Sequence, residues 1–172
     1  MELVESIEKR GSVRAFTEDP VPEEVVMEIL RMGTLAPSAG NLQARDFIVV
    51  RDLETKKQLA KAAFGQDFVE QAQVVIVCCS NQARIRNYGI RGTSLYCIQD
   101  VAAAAENMLL CITSHGYGSC WVGAFDEMQV SRLLGLPENI RPTVLLPVGK
   151  PREEPRKTPR LKLDTVVHKE KW

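Results

Sequence analysis

Arg10, Ser12 and Arg14 stand at alternate positions in the stretch EKRGSVRAF, residues 8–16. In an extended backbone that spacing puts all three side chains on one side. Two guanidinium forks around a hydroxyl match phosphate oxygens or the carbonyls of a heteroaromatic ring. A second donor-rich stretch is LAPSAGNLQARDF, residues 35–47, in which Pro37 and Gly40 enforce a turn bearing Ser38, Asn41 and Gln43. A third is CWVGAFDE, residues 120–127. There Gly123 lets the backbone approach a flat ligand and present main-chain N–H groups ahead of a helix. The fourth is the basic run KPREEPRKTPR, ending at Arg160. Taken singly, each also reads as an ordinary helix end, loop, strand-to-helix turn or solvated tail.

Other chemistries lack their residues. The nearest approach to a dinucleotide-binding GxGxxG is GYGSCW, which has Trp121 in place of the third glycine and leads into a strand. Neither a phosphate-cradling GxxxxGK[ST] nor a nucleophilic GxSxG occurs. His115 falls at the end of a long helix, where a cation suits the C-terminal dipole, and His168 lies in the tail. The five cysteines, Cys78, Cys79, Cys97, Cys111 and Cys120, form no CxxC pair, so they read as buried thiols and not as a zinc site.

These stretches need a scaffold, and the apolar spacing supplies one. Helices are expected over residues 2–10, from Pro22 to about Gly33, over 53–65, from about Ser94 to His115, and from Asp126 to Leu136. In the longest of these, Leu95, Ile98, Ala102, Ala105, Leu109 and Ile112 form the expected packing stripe. Strands are expected at DFIVV, VVIVCCS and PTVLLPVG, with a short one inside GYGSCWVGAF. The order defines an α+β class with helices on both faces of a small sheet. One domain is expected over residues 1–172, ending in an extended, unpacked arm from about 150 to 172.

Composition agrees with a globular chain. Lys+Arg and Asp+Glu are equal at 22 each over 172 residues, so no bulk field favours nucleic acid or an anionic membrane. No apolar run of bilayer length and no leader-like start are read, and a cytoplasmic location is expected.

In their order and spacing, RGSVR, APSAGNLQ, DVAAAAENMLL followed by GYGSCWVGAF, and LLPVGKP…PR resemble the nitroreductase family of FMN-dependent oxidoreductases. The resemblance covers nearly the whole chain. It implies a central, mostly antiparallel sheet flanked by helices, and an intertwined homodimer with FMN at the interface. It implies that Arg10, Ser12 and Arg14 hold the FMN phosphate and ring carbonyls. Pro37, Ser38, Ala39 and Asn41 would reach the flavin of the partner subunit. Val122, Gly123 and Ala124 would lie beside the ring with a backbone N–H near N5, Gln66 would contact the ring, and Arg160 would close on the phosphate. The implied reaction passes reducing equivalents from NADH or NADPH through FMN to an oxidised small-molecule acceptor such as a nitroaromatic or quinone, in ping-pong turnover without a catalytic side chain or metal. The alternatives are a flavin storage or sensing module, or another flavin chemistry on the same fold. Ala44 and Arg45 depart from the family's proline and tryptophan, and Lys150 from its usual aromatic; both departures bear on the pocket wall and the arm.

Overall fold

The computed structural model describes all 172 residues. Four strands form one antiparallel sheet in the order β1-β2-β4-β3: β1 Arg45–Val50, β2 Val74–Asn81, β4 Ile140–Gly149 and β3 Gly118–Ser119. Every residue of β2 is buried, as an apolar strand covered on both faces must be. Its alternate side chains enter two cores. Val74, Ile76 and Cys78 face helices α2 (Glu23–Thr34) and α6 (Cys97–Ser114). Val75, Val77 and Cys79 face α3 (Leu53–Ala62), α4 (Phe68–Gln71) and α7 (Glu127–Leu134). Each fully buried Ile, Leu or Val contributes about 1.5–3 kcal/mol.

Two glycines bring the N-terminal segment close. Helix α1 (Leu3–Lys9) ends at Arg10, and the chain then runs extended beside β3, with the Val13 N–H donating to the Ser119 carbonyl at 2.9 Å. A Cβ on Gly118 would lie 2.6 Å from Val13 Cγ2, so only glycine admits this approach. A Cβ on Gly11 would likewise lie 2.6 Å from Pro155, where the C-terminal arm crosses.

The arm is tied down at its start, and beyond Pro155 every residue is exposed. The Lys150 carbonyl accepts from Thr17 N–H, Phe16 bridges Pro151, and Arg152 N–H donates to the Ala15 carbonyl. Further on, Leu163–Val166 forms a short helix, α8. The long helix differs from its expected form. Its α-helical part starts at Cys97, preceded by the 3₁₀ turns of Gln82–Tyr88, a single α turn at Gly89–Arg91 (α5) and a π turn at Gly92–Tyr96. Its buried face is Val101, Ala104, Ala105, Met108, Leu109 and Ile112, while Ile98 and Ala102 are only half-buried. The whole helical run Gln82–Ser114 is, contrary to expectation, long and apolar enough for a bilayer span by length and composition, but half of its apolar window is buried inside the protein.

Candidate functional site

The comb and the arm build one cleft. Arg10, Ser12, Arg14 and Arg160 all line a cavity of about 500 Å³, joined by Arg156, Lys157 and Thr158. Arg10 terminates α1, half-buried, with its Nε 3.7 Å from Glu106. Ser12 pairs across a parallel bridge with Ser119, whose own Oγ is buried and meets no partner. Arg14 is exposed and lies over the Phe68 ring, 5.8 Å from its centroid. Arg160 Nη1 donates to Thr158 Oγ1 at 2.7 Å. Lys9 at the rim is held by Glu5 at 2.7 Å. Arg14, Arg156, Lys157 and Arg160, by contrast, have no carboxylate within ion-pair distance. Four cations without ion-pair partners, against the single acid Glu8, give this cavity a positive lining that favours an anion. Arg156 and Lys157 were not singled out in the sequence, although the charge density of the arm was the signal for them.

A second cluster adjoins the Arg14 end through Phe68. Gln66 Nε2 donates to the Ala63 carbonyl at 2.9 Å and to the Ala124 carbonyl at 3.1 Å, tying the start of α4 to the turn before α7. Val122 is buried, and its N–H and C=O both pair with Leu145. The N–H groups of Gly123 and Ala124, both exposed, meet no acceptor in the chain. Of the three residues expected beside a ring, those two therefore keep free donors.

The third group stands apart. Pro37, Ser38, Ala39 and Asn41 line no part of the cavity that holds Arg10 and Arg160 within one protomer. Their turn is fixed from below. The Asp100 carboxylate accepts from Ala39 N–H at 2.9 Å and Ala44 N–H at 3.2 Å, and Ser38 Oγ accepts from Gln43 N–H at 3.0 Å. Arg45, where the resemblance leads one to expect tryptophan, is buried and donates to the carbonyls of Thr34, Ala36 and Pro37. Burial lowers its guanidinium pKa from the ordinary value, and the charge of Asp100 partly restores it. Lys150, the other departure, is exposed, with Nζ 3.4 Å from Asp19.

The remaining nucleophiles stay outside the site. His115 caps α6 and its Nε2 lies 3.2 Å from Glu28 on α2, a helix-to-helix contact. All five cysteines are buried. Desolvation pushes the thiols of Cys78 and Cys79 up, that of Cys79 to about 12. The native protein should accordingly resist iodoacetamide at pH 8; rapid labelling before unfolding would contradict this burial.

A cation-lined cleft and a turn with two free N–H groups, carried by a sheet covered with helices, make a scaffold suited to an anionic ligand. The comparisons with known proteins agree. The model of the nitroreductase family matches residues 7–92 and 61–150. An NADH dehydrogenase of Thermus thermophilus is 35% identical over 187 residues, covering 92% of this chain and 91% of that protein. The solved NADPH:FMN oxidoreductase of Vibrio harveyi, in complex with NAD+, superposes with a TM-score of 0.91 at 31% identity, over 99% of this chain and 77% of that one. The structure of B. megaterium NfrA2 gives a TM-score of 0.94 at 27% identity, over 100% and 76%. The chain belongs to the nitroreductase family.

Proposed function

We propose that this protein is an NAD(P)H-dependent flavin oxidoreductase that binds FMN and reduces an oxidised small molecule such as a nitroaromatic or quinone. The observation that carries this reading is the set of cations without ion-pair partners lining one cleft, whose Arg14 lies over Phe68, two residues from the Gln66 that is bonded to the Ala124 carbonyl. The residues fit FMN: a phosphate monoester needs charged donors at one end, and an isoalloxazine ring needs a flat approach and main-chain donors at the other.

When bound, FMN would supply the redox chemistry that links NADH or NADPH to the oxidised acceptor. The chain supplies position and charge. Arg10, Ser12 and Arg160 would hold the phosphate. Arg14, steadied on Phe68, places positive charge where the ring carbonyls gain electron density. Gln66 fixes the Ala124 carbonyl, so the turn presents its N–H groups at a set height.

We further propose a homodimer of single-domain, cytoplasmic chains, with no nucleic-acid or membrane partner, in which Pro37, Ser38, Ala39 and Asn41 of one protomer complete the flavin site of the other. Exposed Leu3, Val4, Ile7, Met27 and Leu35 support that reading, because a patch of this kind is normally covered. Purified protein is expected to be yellow and to carry about one FMN per chain, a stoichiometry set by the one cleft each chain provides. Ser12→Ala should weaken FMN binding by about 1.5 kcal/mol, the loss of one bond to a charged acceptor. Titration of the apoprotein with FMN tests both, and a colourless protein that FMN cannot turn yellow refutes the reading. Stopped-flow mixing with NADH and with NADPH separates turnover from flavin storage, since only an enzyme bleaches.

A further inference from the structure

The turn that carries Ser38 and Asn41 contains a run of left-handed backbone, unusual for its type at Gln43. Asn41 and Gln43 adopt φ of 55° and 51°, on either side of Leu42, and Gly40 has φ of 55°. Glycine takes this region freely and asparagine often, so Gln43 is the residue whose conformation the surroundings must hold. Here the surroundings are two opposite charges. Asp100, 3% exposed at the start of α6, takes the N–H groups of Ala39 and Ala44. Arg45, 4% exposed at the start of β1, gives its fork to the carbonyls of Thr34, Ala36 and Pro37. Neither has a salt-bridge partner of its own; each is solvated by backbone dipoles on one side of the same turn. Arg84 adds bonds to the Gln43 and Arg45 carbonyls from outside.

We propose that Arg45 and Asp100 are paired positioning residues, a buried cation and anion that clamp the Leu35–Ala44 turn from its carbonyl and amide sides and so set where Ser38 and Asn41 meet the flavin. This deepens the flavin reading and rests on it. An apolar residue at position 45 would fill volume but leave three carbonyls unbonded. The rigid donor fork explains why arginine can occupy a place where the family resemblance expects a large indole.

The test is a double-mutant cycle with Arg45→Met, Asp100→Asn and their combination, read by FMN dissociation constant, by the visible absorption and circular dichroism of the bound flavin, and by the melting temperature of the apoprotein. Each single change should raise the FMN Kd about tenfold and alter the flavin band shape, and the combination should cost less than the product, because both residues act on one turn that can be loosened only once. A role confined to stability would lower the melting temperature and leave Kd and band shape native in the folded fraction; that result overturns the clamp. Asp100→Asn preserves volume, so it decides the matter should Arg45→Met not fold. Wild-type protein that takes up no FMN overturns the flavin reading, and the clamp with it; wild-type uptake with unchanged variants overturns the clamp alone.

Discussion

Arg14→Glu is expected to reduce FMN affinity by about a thousandfold, leaving the fold intact. Arg14 is exposed and has no carboxylate partner, so reversal of its charge breaks no internal ion pair. The loss has two parts. One charge-assisted bond to the ligand disappears, worth about 1.5–3 kcal/mol. A carboxylate there also faces the partial negative charge of the ring carbonyl oxygens and, farther along the cleft, the phosphate, adding about 1–2 kcal/mol. Together these give about 4 kcal/mol, or three orders of magnitude in Kd. Arg14→Gln should show the first part alone. The gap between Glu and Gln should narrow as salt is raised, since the second part is screened and the first is not. Isothermal titration of the two variants at low and high ionic strength measures both. A Kd within threefold of wild type for Arg14→Glu would remove Arg14 from the site.

The scaffold was legible wherever one period dominated. β2 is uninterrupted in its apolar character, and its limits, Val74–Asn81, extend the expected VVIVCCS by one residue. β4 begins two residues before PTVLLPVG, at Ile140, because pairing with Asn81 extends the ladder beyond the apolar run. The phase of α6 was harder to read. Alanine is compatible with every face, so VAAAAEN fixed a helix without fixing which side was buried. The expected stripe thus caught Ala105, Leu109 and Ile112 but missed Val101, Ala104 and Met108. The irregular turns over residues 82–96 left no periodic trace, since 3₁₀ and π turns follow neither the helical nor the strand repeat.

The candidate site divides in the same way. Alternation of Arg10, Ser12 and Arg14 was a local signal, and extended backbone beside β3 is what makes it work. Arg160 was legible only through resemblance, because 148 residues separate it from Ser12 and no local pattern joins the arm to the comb. Asp100 was invisible as a functional residue. An acid in the first turn of a helical run reads as a favourable dipole contact, and nothing nearby reveals that its acceptors serve a turn 56 to 61 residues earlier. Arg45 was seen as a departure, and its compensating bonds became apparent only once α2 and β1 were brought together.

Gly123→Val separates what the protein needs from what its ligand needs. A Cβ at this position would meet only the Trp121 ring, at 3.6 and 3.8 Å, which is ordinary contact, and the backbone there is outside the left-handed region. The apoprotein therefore gives no reason for glycine, in contrast to Gly11 and Gly118, where a Cβ would strike a neighbour at 2.6 Å. Valine at 123 should change apoprotein stability by no more than about 0.5 kcal/mol, the usual result at an exposed position. With a flat ring lying against the Cα, the two added methyl groups occupy the space of the ligand. Overpacking of that kind costs about 1–3 kcal/mol, so FMN affinity should fall by up to a hundredfold. The N–H of residue 123 survives the change, which makes the loss steric and not one of hydrogen bonding. Gly123→Ala should fall between the two. Thermal melts of the apoprotein set against FMN titrations give the contrast directly, and a valine variant that binds FMN as tightly as wild type would mean that the ring lies elsewhere.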